Sequence, residues 1–187
     1  MKLGFIGVGN IGAPIASQLL GAGHSLVVHD LRPEAAQALL SAGAHWSDSA
    51  AALAAECEVV ATCLPGPTEM EQVCLGPSGI VGVIKPGGLY IDHTTNSPLL
   101  VRQVHNTLAA RGVGMLDAPV SGGMEGAQTR DLLVMAGGEP AAFERGRPLL
   151  DAVAKRVLHT GQIGSGSGLA GRTGANLLYG RCRARPA

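Results

Sequence analysis

Apolar positions along this chain follow two alternating rhythms. Short continuous runs, such as Lys2–Ile6, Ser25–His29 and Glu58–Leu64, have the character of strands buried on both faces. Between them, apolar residues recur at helical spacing. Ile11, Ile15 and Leu19 form one such stripe, closed by Gly21 and Gly23. Further helices are expected over Pro33–Ala42, opened by proline and followed by Gly43, and over the Ala-rich Asp48–Glu56. Thr68 and Glu71 have capping-box spacing and predict a helix start at Thr68. Leu89–Asp92 reads as a strand. Ser97 and Pro98 read as an N-cap and first helical residue of a helix reaching Arg111. Gly114–Asp117, Leu132–Ala136 and Arg156–Thr160 read as strands, with a helix near Ala141–Leu150. The alternation predicts an α/β fold, a doubly wound and mostly parallel sheet with helices on both faces.

The pattern changes after Thr160. Gly161, Gly164, Gly166 and Gly168 predict a flexible joint, followed by an apolar, Ala-rich helix start. The expected division is a domain over 1–161 and a Gly-rich joint with the truncated start of a helix over 162–187. Four of the eleven arginines fall between Arg172 and Arg185. Leu177, Leu178 and Tyr179 have no second domain to cover them, so fraying or self-association into a homo-oligomer through this helix is expected.

Composition narrows the function classes. The 187 residues are 46% hydrophobic and 3% aromatic, with 28 glycines, which favours close backbone packing over an aromatic-rich β-sandwich. Fourteen basic residues balance fourteen acidic ones, so no basic surplus points to nucleic acid. No apolar run reaches membrane-spanning length and the N-terminus lacks signal-peptide character, so a cytoplasmic location is expected, with no membrane partner. The four cysteines show no CxxC pair, and the six histidines form no ligand cluster; no metal is expected.

The sharpest motif is Gly7, Gly9 and Gly12, a G-x-G-x-x-G turn between the first strand and the first helix. The first glycine permits the tight turn, the second admits a pyrophosphate, and the third lets helix pack on strand. Asn10 and Ile11 lie within the same loop and count as cofactor-binding candidates. Asp30 ends the second strand, 18 residues after Gly12, near the separation expected of an acid that accepts from adenosine ribose hydroxyls. Its charge disfavours the extra phosphate of NADP. Arg32, close by, softens that preference, so NAD is favoured and NADP is not excluded. The bland alternative is an ordinary Gly-rich strand–helix turn.

Three later segments join the first. GFIGVGNIGAPIASQLL, CLPGPTEMEQV, IDHTTNSP and DAPVSGGMEGAQTRDLLVMAGG together resemble the β-hydroxyacid dehydrogenase family, from Met1 to about Tyr179. The resemblance implies a Rossmann-like cofactor domain, followed in the family by an interdomain helix and a helical domain. It implies an oxidoreductase moving hydride between a nicotinamide cofactor and a small 3-hydroxy acid, of the 3-hydroxyisobutyrate or glycerate type. Leu64 and Pro65 match the family's loop under the cofactor. Thr95 matches its contact to the nicotinamide end. Ser121, Gly122 and Gly123 match the motif that holds the substrate carboxylate, which suits a backbone anion nest. The family's catalytic helix reads K-x-x-N-N. Here Asn176 matches the second Asn, and Arg172 stands at the lysine position. Arginine stays protonated and cannot take a proton from an alcohol. Arg130 stands where the family more often has glycine. The rival reading is a non-catalytic, or inactive and truncated, dinucleotide-binding module.

Overall fold

The computed structural model describes residues 1–172. Nine strands form one sheet: β1 (Lys2–Ile6), β2 (Ser25–His29), β3 (His45–Trp46), β4 (Val59–Thr62), β5 (Leu89–Asp92), β6 (Gly114–Asp117), β7 (Val120–Ser121), β8 (Leu133–Gly137) and β9 (Arg156–Gly161). The helices are α1 (Gly12–Gly21), α2 (Gln37–Ser41), α3 (Ala50–Glu56), α4 (Pro67–Leu75), α5 (Pro98–Ala109), α6 (Gly123–Thr129) and α7 (Pro140–Val153). Residues 165–172 form an eighth helix, α8.

The first six strands lie in the order β3-β2-β1-β4-β5-β6, all parallel, and the chain reverses direction across the sheet between β1 and β4. This is the doubly wound order of dinucleotide-binding domains. β8 runs antiparallel to β6 and β7, and β9 pairs parallel with β8. The sheet is therefore mixed at one end, as "mostly parallel" allows.

Alternating strand residues feed two cores, one on each face. Leu3, Phe5, Leu26 and Leu116 pack with Ile15, Leu19, Phe143 and Leu150 from α1 and α7. Val27, Val60, Tyr90 and Met115 pack with Leu53, Met70, Val104 and Leu108 from α3, α4 and α5. The apolar runs in the sequence are continuous because both faces are covered.

Local departures from the sequence reading have identifiable causes. The helix expected over Pro33–Ala42 divides into a 3-10 turn, Pro33–Ala36, and the short α2; neither start has a side-chain cap. The helix expected from Thr68 starts at Pro67 instead, with Gly66 as N-cap. Proline's missing N–H costs nothing at the first helical position, which moves the start upstream of Thr68. Ser97 caps α5 as expected, accepting from Leu99 N–H at 3.3 Å. The two-residue strands β3 and β7, the turn Ile80–Gly82 and α6 had no periodic signal long enough to read.

Of the glycines expected to form a flexible joint, Gly166 is used for close approach, as is Gly137 in β8. A Cβ on Gly166 would run into the carbonyl oxygens of Met135 and Asp117, and one on Gly137 would meet the Asp117 carboxylate at 2.5 Å. Asn176, Leu177, Leu178, Tyr179 and Cys182 lie outside the described residues.

Candidate functional site

In a doubly wound sheet, a crevice opens at the carboxyl ends of the strands where the order reverses. Here that point lies between β1 and β4. A cavity of about 690 Å³ opens there, lined by the glycine loop, the end of β2, residues 63–65 and the faces of α3 and α4. Its size is within the range of small-molecule and cofactor sites.

The three loop glycines have three different surroundings. Gly7 has φ +87°, and its N–H donates to the His29 carbonyl at 2.9 Å. A Cβ there would meet the Cys63 carbonyl oxygen at 2.5 Å. Gly12 is buried, and a Cβ on it would collide with the Gly7 carbonyl. Gly9 lines the cavity, and a Cβ on it would meet no protein atom within 4 Å. Protein packing thus explains Gly7 and Gly12 but not Gly9. No side chain caps α1, which begins beside this space. Its first-turn N–H groups and partial positive charge suit an anion.

Asp30 is half-buried at the end of β2. One carboxylate oxygen accepts from Val8 N–H and the other from Arg32 N–H, each at 2.9 Å. The acid therefore braces the glycine loop and its own turn, and its orientation is fixed before any ligand arrives. Further lone pairs remain, since a carboxylate offers about four acceptor sites. Arg32 and the exposed Leu31 line the same end of the cavity.

The opposite wall rests on a buried polar network. Leu64 N–H donates to Thr94 Oγ1 at 3.0 Å, and Thr94 N–H donates to Asp92 Oδ1 at 3.0 Å. Asp92 also accepts from Thr62 Oγ1 at 2.8 Å and from Asn96 Nδ2 at 2.6 Å. Burial pushes the Asp92 carboxyl above the usual carboxylate range, and the donated hydrogen bonds oppose this. His93, stacked beside Phe5 and donating through Nδ1 to the Ala118 carbonyl, is held below its ordinary value by burial. The Cys63 thiol on the cavity wall is pushed up to about 12 by burial first and Asp92 second, which disfavours its thiolate form.

The cavity brings together Gly7, Gly9, Asn10, Ile11 and Gly12 with Asp30, Leu64 and Pro65. Thr95 is exposed next to the Asp92 network and is not among the lining residues. Ser121 ends β7, and Gly122 and Gly123 follow with φ +138° and +63° as an exposed turn into α6, also outside that lining. Arg172 is exposed at the end of the described residues. The sequence reading missed the cavity walls from α3 and α4, Ala50, Ala51, Glu69, Gln72 and Val73. Only their place after β3 and β4 could have pointed to them. Among the described residues no group of His, Cys, Asp and Glu could hold a metal ion, and no helix is long and apolar enough to cross a membrane.

Residues 2–161 match the family described as the NAD binding domain of 6-phosphogluconate dehydrogenase. The chain is 39% identical over 164 residues to a 3-hydroxyisobutyrate dehydrogenase of Pseudomonas aeruginosa, covering 88% of this chain and 55% of that one. It is also 39% identical over 165 residues to an NAD-dependent L-serine dehydrogenase of the same organism, again covering 88% and 55%. Among solved structures, Mycobacterium tuberculosis 3-hydroxyisobutyrate dehydrogenase with L-serine superposes with a TM-score of 0.88 at 34% identity, over 94% of this chain and 60% of that one. The chain thus spans just over half the length of these relatives.

Proposed function

This chain belongs to the 3-hydroxyisobutyrate/β-hydroxyacid dehydrogenase family as its NAD(P)-binding domain, and we propose that its cavity takes NAD in preference to NADP, for oxidation of a small 3-hydroxy acid. The observation that carries this reading is Gly9, which lines the cavity and has no protein neighbour that would require its missing side chain.

The residues fit the group. The glycine loop and the uncapped start of α1 would receive the pyrophosphate. Asp30, fixed by two amides, would accept from the adenosine ribose hydroxyls and repel a 2′-phosphate. Arg32 lines the same end and sets the limit on that preference. Leu64 and Pro65, held by Thr94, would support the ribose side. Thr95 would meet the nicotinamide end, and Ser121 with Gly122 and Gly123 would hold the substrate carboxylate. When bound, the nicotinamide supplies the hydride acceptor.

Proton removal from the substrate hydroxyl falls, in this reading, to position 172, with Asn176 four residues later in the sequence. Arg172 cannot accept that proton. Positioned acid–base catalysis contributes about 10²–10⁴-fold. With arginine at that position, oxidation of 3-hydroxy acids by this chain is expected to be slow or absent while cofactor binding remains. Residues 1–161 are read here as its binding domain. Titration with NADH and NADPH, followed by nicotinamide fluorescence, tests the reading. Tighter binding of NADH is expected. Tighter binding of NADPH contradicts the role given to Asp30, and binding of neither contradicts the proposal as a whole.

A further inference from the structure

The start of α8 contains an arrangement that the cofactor site does not use. Helix N-termini leave N–H groups without intrahelical partners, and these are ordinarily satisfied by a side chain at the N-cap and another three residues later. At α8 the N-cap is a glycine, and Ser167, three residues later, does not take the N-cap amide, which goes to Asp117 instead. Gly164, with φ +86°, occupies the N-cap, since its carbonyl accepts the first helical bond from Gly168 N–H at 3.0 Å. Glycine has no side chain to offer.

Asp117, at the carboxyl end of β6, supplies both bonds instead. Its Oδ1 accepts from Gly164 N–H and its Oδ2 from Ser167 N–H, both at 2.7 Å. These are the two amides that a capping box would satisfy, the N-cap N–H and the one three residues on. One carboxylate from a distant strand thus does the work of two local side chains. Its negative charge also lies against the positive end of the helix.

The surroundings are shaped for this contact. Asp117 is fully buried. Cβ atoms on Gly137 or Gly166 would occupy the space around its carboxylate and carbonyl. Ser165 Oγ meets Thr160 Oγ1 at 2.7 Å, and Thr160 Oγ1 donates to the Ala136 carbonyl at 3.1 Å, so β9 is tied to the same turn.

We propose that Asp117 is the positioning residue of α8: its carboxylate fixes the origin and direction of the helix that leads to residue 172. A helix fixed at its first turn carries later side chains in a defined direction from the carboxyl edge of the sheet, where the cofactor cavity also opens. The assignment concerns the chain's own geometry and stands whether or not the cavity takes NAD. The charged group acting on Asp117 from its neighbours is Asp92 on β5; Arg102 on α5 approaches Gly164 from the other side.

The test is amide NMR of the full chain without added nucleotide. In the wild type, the Gly164 and Ser167 amide protons are expected to shift together through one midpoint near pH 6, the value to which burial raises their shared acceptor. The Val8 amide, bonded to Asp30, is expected not to share it. In Asp117→Asn, the shared midpoint is lost. There, Gly164 or Ser167 exchanges about 10- to 100-fold faster, the range for losing a charge-assisted hydrogen bond, while Leu64 and Val8 keep their protection. Independent titration of the two amides overturns the proposal, as does unchanged exchange at both in a folded Asp117→Asn. The wild-type titration decides alone if the variant fails to fold.

Discussion

Asp92 and Asp117 stand opposite each other in the parallel pair β5–β6, and both are fully buried. Each carboxylate organises a different stretch of the sheet's carboxyl edge: Asp92 holds residues 94–96 and Asp117 holds 164–167. Burial raises both carboxyls above their ordinary range, and repulsion by Asp92 adds to the shift of Asp117.

This pairing fixes the sign of a pH effect. Asp117 is pushed up to about 6 from an ordinary 3.8, mainly by burial. The folded chain therefore holds this proton at a higher pH than the unfolded chain does. Its contribution favours folding below about pH 4 and declines as pH rises to about 6. Across that window the wild type should lose about 3 kcal/mol relative to Asp117→Asn. Urea unfolding of both proteins from pH 4 to 7 measures the difference. Parallel stability curves would show that Asp117 does not titrate in this way.

Arg130 is the one non-glycine residue with positive φ among the described residues, at φ +60° as the C-cap of α6. Helices commonly end on a left-handed glycine because a Cβ is strained there. Its guanidinium reaches the Asp151 carbonyl only at 3.4 Å, a weak return for that strain. Arg130→Gly is expected to raise stability by about 1 kcal/mol, read as a higher urea midpoint. A lower midpoint would mean that the side chain contributes more than its geometry indicates.

Gly12 gives a packing prediction. A Cβ at this position collides with the Gly7 carbonyl and approaches the Phe5 ring at 3.2 Å. Gly12→Ala should cost about 1–3 kcal/mol, the range for overpacking a close contact. Thermal unfolding followed by circular dichroism reads this as a lower midpoint. An unchanged midpoint would show that α1 can move away from β1 freely.

The sequence carried the doubly wound order through two signals, continuous apolar runs and the glycine turn that follows the first of them. Gly7 and Gly12 are legible because each answers a local geometric need of a strand–helix turn, and Gly9 and Asp30 through their spacing from them. The walls from α3 and α4 are not, since Ala50, Ala51 and Val73 are ordinary helix residues until the sheet brings them to the cavity. α6 escaped notice because GMEGAQT has two glycines and no apolar stripe. The glycines after Thr160 suggested slack because sequence shows their freedom and not what approaches them. Asp117, 47 and 50 residues away from the amides it holds, makes that segment a contact.

The central claim is that the space beside Gly9 is kept open for a dinucleotide pyrophosphate. Gly9→Val is the sharpest probe, because a Cβ at this position meets no protein atom within 4 Å. NADH titrations of wild type and variant, with thermal midpoints measured on the same samples, make the comparison. Matching midpoints, NADH binding by the wild type, and no detectable binding by Gly9→Val are expected. Equal NADH affinity in the two proteins would contradict the claim and place the cofactor elsewhere.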